Sequence, residues 1–352
     1  MSFPNSPKYS KSEISRAGKI LISSKPTPKD YSHAIEVVNA WRISHAYPIN
    51  TFKSSLHKKT KEYKKPIIAQ RLKRLPTIID KLNRYPSMEL ARMQDIGGVR
   101  AVVNSIREVR ELQIIYQDPT RFTHELVRED DYILSPKTDG YRGVHLVFKY
   151  NNLRYKDAIQ YNGHLIELQL RTKLQHSWAT AVETMGTFRG EALKSDKGSK
   201  DWLKFFAVTS SAFAITEKSE LVPEYMTLNA IETYKEIARL EKKLDVFEHI
   251  RGLAIAANAI HTKGYGGFYN LIILNSESHT VQINSYTRDQ LLQASNDYSD
   301  TEAQAAKGAK IEPVLVSAGP LKELKKAYPN YFLDVNDFIA KVSIIIDQAN
   351  KV

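Results

Sequence analysis

The spacing of hydrophobic positions changes several times along the chain, and each change marks a new block. From Asp30 to Tyr85 the apolar residues recur at helical spacing, with prolines that end or kink the predicted helices. Short runs of alternating polarity, typical of strands, follow at VRAVVNS, HLVFKY and HLIELQLRT. Helical spacing returns over residues 174–187, 202–216 and 226–249. This pattern predicts a mixed α/β fold (α+β).

A change in composition begins near residue 254. The segment KGYGGFYN is rich in glycine and aromatic residues, and the runs NLIILNS and HTVQINSY alternate in the manner of a β-hairpin. The polar stretch from Asn296 to Lys310 is expected to be a loop or a short surface helix. We therefore predict two domains, residues 1–253 and a small C-terminal domain of residues 254–352.

The strand HLIELQLRT separates its side chains onto two faces, because successive strand residues point to opposite sides. One face is apolar and is expected to lie in the core: Ile166, Leu168 and Leu170. The other carries a carboxylate, an amide and a guanidinium: Glu167, Gln169 and Arg171. Such a polar face is either solvated or part of a site, and a second carboxylate nearby would favour a site.

The segment MQDIGGVRAVV supplies a second carboxylate. Asp95 precedes the predicted strand across a glycine pair, and Arg100 points away from the core positions. If the two strands are neighbours, Asp95 and Glu167 converge, and two carboxylates beside arginines suit Mg²⁺ bound to substrate phosphates. Taken alone, an Asp and Glu pair is more often a structural ion-pair network.

The segment RLKRLPTIIDK adds Arg71, Lys73, Thr77 and Lys81. The last three recur at four-residue steps, which places them on one helix face if the helix continues through Pro76. Phosphoryl transfer depends on charge neutralisation and alignment, which a cationic face with a hydroxyl provides. The alternative is an ordinary solvated basic helix.

The loop DYILSPKTDGYRGVHLVF combines a turn signal with cationic and aromatic groups: Lys137, Tyr141, Arg142 and His145. A nucleobase could stack on Tyr141, and stacking of this kind contributes about 1 to 3 kcal/mol. The loop therefore suits a nucleotide acceptor, although a simple β-turn followed by a tyrosine has the same pattern.

Composition narrows the classes of protein and of site. The 352 residues are 42% hydrophobic and 26% charged, and no apolar run approaches the roughly 18 residues of a membrane span. The N-terminus is polar and basic, unlike a secretory signal, so we expect a cytoplasmic protein without a membrane partner. The chain has no cysteine, which excludes disulfides, thiolate zinc sites and thiol catalysis. Carboxylates and imidazoles remain as metal ligands.

The net charge of +12 is concentrated in one region. Between Thr51 and Arg84, eleven Lys or Arg residues stand against two acids. A local excess of this kind favours a polyanionic partner, but a solvated helix face is about equally common.

Four of the segments described above resemble the RelA/SpoT synthetase family in their order and spacing: RLKRLPTIIDK, MQDIGGVRAVV, DYILSPKTDGYRGVHLVF and HLIELQLRT. The family motifs read R-x-K-x-x-x-S-I-x-x-K, D-[IL]-x-[GA]-[IV]-R, Y-I-x-x-P-K-x-N-G-Y-x-S-x-H and E-[IL]-Q-[IL]-R-T, and the resemblance covers residues 30–216. It implies a nucleotidyltransferase-like mixed sheet flanked by helices. It also implies an ATP-dependent pyrophosphokinase (diphosphotransferase) that uses ATP as pyrophosphate donor and Mg²⁺ as cofactor.

The resemblance further implies roles for individual residues. Asp95 and Glu167 would be catalytic and would bind the metal, with Glu167 also activating the acceptor hydroxyl. ATP would contact Arg71 and Arg100 at its adenine, and otherwise Lys73, Thr77 and Lys81. The acceptor would contact Lys137, Tyr141, Arg142, His145, Gln169 and Arg171. Asp139 and Gly143 replace the family's asparagine and serine, which leaves the acceptor open.

Two further segments resemble one branch of the family. KLQHSWATAVE is similar to the toxic small alarmone synthetases, which modify the tRNA 3′ CCA end. AYPNYFLDVNDFIAKV carries Tyr328 and Tyr331, similar to the Y-x-x-Y signature of fused toxin–antitoxin enzymes of the CapRel type. In that type the two tyrosines regulate ATP entry from a small zinc-finger-like C-terminal domain without zinc. Pro329 favours an extended Tyr328, so we expect the pair to be displayed from a turn.

The leading hypothesis is an autoinhibited toxin in anti-phage defence. It would transfer pyrophosphate from ATP to the 3′-hydroxyl of the tRNA CCA end and so inhibit translation, with a phage structural (capsid) protein as its trigger by resemblance. The first alternative is an alarmone synthetase that makes (p)ppGpp from ATP and GDP or GTP. The second is a non-catalytic nucleotide or RNA sensor.

Overall fold

The computed structural model describes residues 9–73, 75–189, 200–262, 268–275, 277–278, 280–307, 309, 311–317 and 331–351. Two compact units divide the chain, and they are interleaved in sequence. The first contains residues 1–132 and 143–173, and the second contains residues 133–142 and 174–352. The helix Val246–Thr262 runs through residue 253. The domain boundary predicted between residues 253 and 254 stays a prediction.

The first unit is built on a five-stranded mixed sheet. Its strands are β1 (Ile67–Leu72), β2 (Gly97–Val103), β3 (Glu125–Asp131), β4 (Val144–Lys149) and β5 (Leu165–Thr172). They lie in the order β1-β2-β5-β4-β3, with β2 and β5 parallel and the other neighbours antiparallel. The sequence prediction of a mixed α/β fold is confirmed, and so is the neighbouring position of the two site-bearing strands.

Helices provide the other layer of this unit. They are α1 (Lys11–Leu21), α2 (Pro28–Ser44), α3 (Ala46–Lys59), α4 (Leu75–Arg84), α5 (Ile106–Gln117) and the short α6 (Lys156–Ile159). Ser10 begins α1 with a capping box, and Thr27 caps α2 ahead of Pro28. Apolar residues from α1, α2 and α4 form one buried cluster, while the alternating residues Ile166, Leu168 and Leu170 of β5 are fully buried. The predicted core face of this strand is confirmed.

One strand was missed by the sequence pattern. Residues 30–85 read as helical, yet β1 occupies Ile67–Leu72 and carries Arg71. The helix α4 begins at Leu75, so Pro76 lies in its first turn, where the missing proline N–H removes no helical hydrogen bond. Lys73 therefore precedes the helix, and the predicted single helix face for Lys73, Thr77 and Lys81 is wrong.

The second unit combines helices with a small sheet. Its helices are α7 (Lys173–Arg189), α8 (Lys200–Glu217), α9 (Ala230–Leu244), α10 (Val246–Thr262), α11 (Leu291–Ala306) and α12 (Tyr331–Ala349). The strands β6 (Tyr269–Asn275), β7 (Thr280–Tyr286) and β8 (Ile311–Ser317) form an antiparallel sheet in the order β7-β6-β8. The predicted hairpin is confirmed as β6 and β7, whereas the likeness of this region to a zinc finger stays a prediction.

Two helix predictions in the second unit need correction. The stretch 226–249 is not one helix, because Asp245 has a left-handed φ of 50° and ends α9 before α10 begins. The stretch expected to be a loop or short helix near Asn296 is part of the 16-residue α11. Across the described part of the chain, no helix is long and apolar enough to cross a membrane.

A cluster of three buried rings joins α2, α3 and the turn before β5. Trp41, His45 and His164 lie with ring centroids 4.6 to 4.7 Å apart. The Nε2 of His164 is 2.8 Å from Ser44 Oγ, and its Nδ1 is 2.8 Å from Tyr161 O. Burial and the neighbouring His164 lower the pKa of His45 to about 3, and burial lowers the pKa of His164 to about 4.

This cluster predicts a loss of stability in mild acid. Between the lowered folded values and the ordinary pKa of about 6.5, the unfolded chain binds protons that the folded chain does not, so stability is full above pH 6.5 and declines below it. At pH 5 we expect a loss on the order of 2 kcal/mol per histidine. Urea unfolding at pH 7.5 and 5.0 measures this loss. It should shrink in His45→Gln and stay unchanged in a variant of the exposed His57, His57→Gln; equal losses in all three proteins would contradict the assignment.

Candidate active site

The register of the sheet brings the predicted polar residues onto neighbouring strands. Gly98 of β2 pairs with Arg71 of β1 on one side and with Glu167 of β5 on the other. Gln169 of β5 lies between Arg100 of β2 and His145 of β4. A Cβ on Gly98 would lie 3.9 Å from Arg71 Cγ and 4.0 Å from Glu167 Oε2, so the bare glycine leaves the space between these two side chains open.

Asp95 lies just before β2 and is held by two lysines. Its Oδ2 is 2.8 Å from Lys73 Nζ, and its Oδ1 is 3.0 Å from Lys81 Nζ. The backbone fixes this arrangement, since Lys73 N donates to Ile96 O at 2.8 Å and continues the β1–β2 ladder by one residue. Burial opposes ionisation of Asp95, but the two ammonium groups outweigh it and hold its pKa below the usual value.

Glu167 is held in an equally polar environment. Its Oε1 is 2.8 Å from His145 Nδ1, and its Oε2 accepts a hydrogen bond of 2.7 Å from Gln169 Nε2. Burial would raise its pKa, but His145, and to a smaller extent Arg71 and Gln169, lower it well below the ordinary range. Glu167 is therefore a largely buried, ionised carboxylate at neutral pH.

Gln169 links this carboxylate to two arginines. Its Oε1 accepts from Arg100 Nε at 3.3 Å and from Arg171 Nη2 at 3.1 Å. The amide thus orients Glu167 on one side and collects guanidinium groups on the other. In this structure His145 contacts Glu167, and Gln169 contacts Glu167, Arg100 and Arg171. The predicted contact of Gln169, Arg171 and His145 with an acceptor stays a prediction.

The negative charge of Glu167 raises the pKa of Asp95 by like-charge repulsion, so the two carboxylates affect one another. Both would suit Mg²⁺, which prefers oxygen ligands and is commonly held by one or two carboxylates plus substrate phosphates. A carboxylate has about four lone-pair positions, so the two described contacts on each leave acceptor capacity. Within the described residues no group of three or more His, Cys, Asp or Glu is arranged to hold a metal ion.

Two further predicted donor residues, Arg71 and Thr77, are exposed. Arg71 lies on β1, and Thr77 lies in the first turn of α4. The N-terminus of a helix attracts anions, and the predicted contact of Thr77 with a donor phosphate stays a prediction.

Of the predicted acceptor loop, residues 131–148, residues 133–142 belong to the second unit and the rest, including His145, to the first. It contains a turn in which Gly140 N donates to Lys137 O at 2.9 Å and Tyr141 N donates to Asp139 Oδ1 at 2.9 Å. Lys137 Nζ lies 5.4 Å from the centre of the Tyr141 ring. Tyr141 as a whole residue is only 9% exposed, which leaves little surface for a stacked base.

Arg142 was predicted to contact the acceptor, but its guanidinium is buried among protein groups. It pairs with Glu217 Oε2 at 2.9 Å and donates to Ser210 Oγ at 3.2 Å and to Ser219 Oγ at 2.8 Å. These contacts favour a structural role for Arg142. Sequence reasoning missed Glu217, because a single acid at the end of a helix gives no signal of its partner.

Gly140 has a structural requirement that predicts a large effect of substitution. Its φ is +93°, and an added Cβ would lie 3.0 Å from Ala207 Cα and 3.0 Å from Trp178 Cζ2. Gly163 is a matched control, since its φ is +88° but nothing lies within 4 Å of an added Cβ.

We expect Gly163→Ala to cost about 1 kcal/mol of stability from the left-handed backbone alone. Gly140→Ala should cost about 1 to 3 kcal/mol more, because the loop must also move away from α8. Urea unfolding of both variants measures the difference. Equal losses would mean that the loop adjusts freely to the added methyl group.

The predicted regulatory pair lies at the edge of what the structure describes. Tyr328 is outside the described residues, and Tyr331 is the first residue of α12, with its side chain outside them. Tyr331 therefore begins a helix, and the expected display of the pair from a turn stays a prediction for Tyr328.

Comparison with known proteins identifies the segment of the chain that holds Asp95 and Glu167. Residues 70–189 match the family model described as "Region found in RelA / SpoT proteins". GTP pyrophosphokinase YjbM of Bacillus subtilis is 34% identical over 124 residues, which are 34% of this chain and 54% of that protein. The GTP pyrophosphokinase of Haemophilus influenzae is 25% identical over 151 residues, 42% of this chain and 18% of that protein. The chain thus contains a RelA/SpoT region, and it spans about half the length of YjbM.

A solved structure gives a weaker likeness. The small alarmone synthetase 1 from Bacillus subtilis is 20% identical, with a TM-score of 0.43, and covers 51% of this chain and 92% of that one. At these values the structural likeness supports no statement about activity. The RelA/SpoT region holds Arg71, Asp95 and Glu167, which confirms the family resemblance expected from the motifs. The toxic branch and the CapRel type stay predictions.

Proposed function

We propose that this chain is an ATP-dependent pyrophosphokinase that transfers the β,γ-pyrophosphoryl group of ATP to a ribose hydroxyl. The observation that carries the proposal is the paired arrangement of Asp95 between two lysines and Glu167 between His145 and Gln169, within the segment that matches the RelA/SpoT region. Phosphoryl transfer requires alignment and charge neutralisation more than covalent help from protein, and these groups supply both.

The chemistry follows from the residues in place. The acceptor oxygen forms a bond to the β-phosphorus while the bond from that phosphorus to the bridging α–β oxygen breaks, so AMP leaves. Glu167 is ionised and buried, and it accepts the proton of the acceptor hydroxyl; its hydrogen bonds to His145 and Gln169 orient it. Lys73 and Lys81 neutralise donor phosphates.

Asp95 and Glu167 would hold Mg²⁺, which when bound neutralises phosphate charge and aligns the donor. Arg71 and Arg100 would hold the adenine between their guanidinium planes, since guanidinium groups stack on aromatic rings.

For the acceptor we propose the 3′-terminal adenosine of the tRNA CCA end. The local basic excess between Thr51 and Arg84 supports a polyanion, because phosphate neutralisation dominates nucleic-acid affinity. The altered loop residues Asp139 and Gly143 are consistent with an acceptor other than the guanosine nucleotides. The alternative is synthesis of (p)ppGpp from ATP and GDP or GTP, which the names of the two curated relatives favour.

Incubation of the full chain carrying Tyr328→Ala and Tyr331→Ala, which releases the inhibition proposed below, with ATP labelled in the γ-phosphate separates these acceptors. We expect label on tRNA and none on periodate-oxidised tRNA, whose terminal ribose has lost its hydroxyls. Parallel reactions contain GDP or GTP. Label on guanosine nucleotides alone would overturn the tRNA assignment and support the alarmone alternative, whereas no transfer to any acceptor would support the nucleotide or RNA sensor.

We further propose that the C-terminal region keeps the enzyme inactive until a phage structural protein, such as a capsid subunit, releases it. The support is the YPNY segment that leads into α12. Truncation after Arg251 is a poor test, because α12 buries Val335, Phe338, Ile339 and Val342 in the second unit. Substitution leaves that packing in place.

Tyr331→Ala, alone or with Tyr328→Ala, is expected to arrest growth without any phage protein. Growth on induction of each variant measures this, with Ile344→Ala as control because Ile344 is exposed on the same helix. Unchanged growth at normal protein levels would count against a regulatory role for the two tyrosines.

A further inference from the structure

Helix α8 holds the loop of residues 133–142 at two points. Ser210 Oγ donates to Gly140 O at 2.5 Å. The backbone of Gly140 also passes close to the helix, because a Cβ added at Gly140 would lie 3.0 Å from Ala207 Cα. Arg142 is fixed by Glu217 and Ser210, and Gln175 Nε2 also donates to Glu217 Oε2 at 3.2 Å. Because the Arg142 side chain is only 2% exposed, the loss of Glu217 would leave a buried charge without its counter-ion.

The same helix contacts the C-terminal helix α12. Phe338 of α12 lies with its ring centroid 6.2 Å from that of Phe206 and 5.9 Å from that of Phe213. Phe206, Ser210, Phe213 and Glu217 recur at steps of four, three and four residues, which places them along one stripe of α8. The loop and α12 therefore use adjacent positions on one helix.

Trp178 of α7 completes a continuous set of contacts. Its Nε1 donates to Phe206 O at 2.8 Å, and its ring lies edge-on to Phe206 with centroids 6.4 Å apart. Trp178 also lies close to Gly140, because a Cβ added at Gly140 would lie 3.0 Å from Trp178 Cζ2. Packed contacts of this kind resist independent movement, since displacement of Phe206 disturbs both Trp178 and Phe338.

We propose that α8 couples the C-terminal helix to the loop, so that loosening α12 loosens residues 133–142, with Glu217 as the positioning residue that holds the loop through Arg142. The proposal rests on the proposed function only where it treats this loop as part of the acceptor site. It gives the C-terminal region a second means of control, acting on the acceptor loop rather than on ATP entry. Coupling between two elements is reciprocal, so loosening the loop should also loosen α12.

Amide hydrogen exchange of the full chain tests the coupling without requiring catalysis. Phe338→Leu is expected to raise exchange in the peptide 133–142 by about five- to tenfold. Ile344→Ala, an exposed change on the same helix, is expected to leave that peptide unchanged. Protection of β6 reports on the folding of the second unit, and Phe338→Met replaces Phe338→Leu if that protection falls.

The reciprocal arm uses Glu217→Gln, with Glu220→Gln as control because Glu220 is exposed beyond the end of α8. Glu217→Gln should raise exchange in the loop and also in α12. Loosening of α12 without the loop in the Phe338 variant, or of the loop without α12 in Glu217→Gln, would overturn the coupling. Since no measurement depends on turnover, the absence of transfer even in the chain carrying Tyr328→Ala and Tyr331→Ala would refute the proposed function and leave this test intact.

Discussion

Glu167→Gln is expected to lower pyrophosphate transfer by at least about a thousandfold while leaving the fold in place. The glutamine has nearly the same shape and can still meet His145 and Gln169, but it cannot accept the acceptor proton or carry the negative charge. The charge matters because burial alone would favour the neutral acid, and the surrounding His145 and Arg71 keep Glu167 ionised. Transfer to each acceptor is measured with labelled ATP in the chain that also carries Tyr328→Ala and Tyr331→Ala, and far-UV circular dichroism checks folding.

Glu125→Gln is the matched control for this variant. Glu125 lies on the edge strand β3 of the same sheet and pairs with Lys149 at the surface, with 59% of its side chain exposed. Its substitution should leave transfer unchanged, because exposed ion pairs contribute little. Full transfer activity in Glu167→Gln would contradict the catalytic role of Glu167, whereas growth arrest without transfer would favour the non-catalytic sensor over the enzyme.

Asp95→Asn is expected to lower transfer by about a hundred- to a thousandfold. The substitution removes the only negative charge that Lys73 and Lys81 contact in the described hydrogen bonds, and it removes a proposed ligand of Mg²⁺. The two ammonium groups then repel one another in a partly buried position. We therefore also expect a loss of stability of about 1 to 3 kcal/mol, measured by urea unfolding.

Asp80→Asn separates the site effect from a general loss of charge. Asp80 lies on α4, is 61% exposed and pairs with Arg84 at 2.8 Å. We expect this variant to retain both activity and stability. Bound phosphate or ATP should restore part of the stability lost in the Asp95 variant, because an anion would compensate the two lysines; a variant that gains nothing from ATP would contradict the assignment of Lys73 and Lys81 to donor phosphates.

Much of the fold follows from local sequence patterns. The alternation of β5 predicted its buried and polar faces, and the hairpin of β6 and β7 followed from its two alternating runs. The strand β1 did not, because IIAQRL is short, lies between basic helices and gains its partner only when β2 arrives from 25 or more residues away. The break at Asp245 was also hidden, since a left-handed residue leaves no mark in the hydrophobic period.

The site was predictable where its residues lie on regular elements. Strand phase and motif order suggested Asp95, Arg100 and Glu167 as neighbours, and β2 and β5 are indeed parallel partners. The partners of these groups were harder to predict from the sequence. His145, which contacts Glu167, lies on a third strand, β4, and Lys73, which contacts Asp95, lies in the turn after β1. Arg142 shows another limit, because nothing in the sequence pointed to its buried partner Glu217.

The interleaving of the two units has a consequence for how the chain acquires its structure during synthesis. The parallel strands β2 and β5 are separated by more than sixty residues, and the central pair of the sheet forms only after Thr172 has left the ribosome. Residues 133–142 emerge earlier, yet their supports on α8 appear only after residue 200. The nascent chain therefore carries this basic loop without its partners for some time, and substitutions at Gly140 or Glu217 should lower the yield of folded protein more than its final stability suggests.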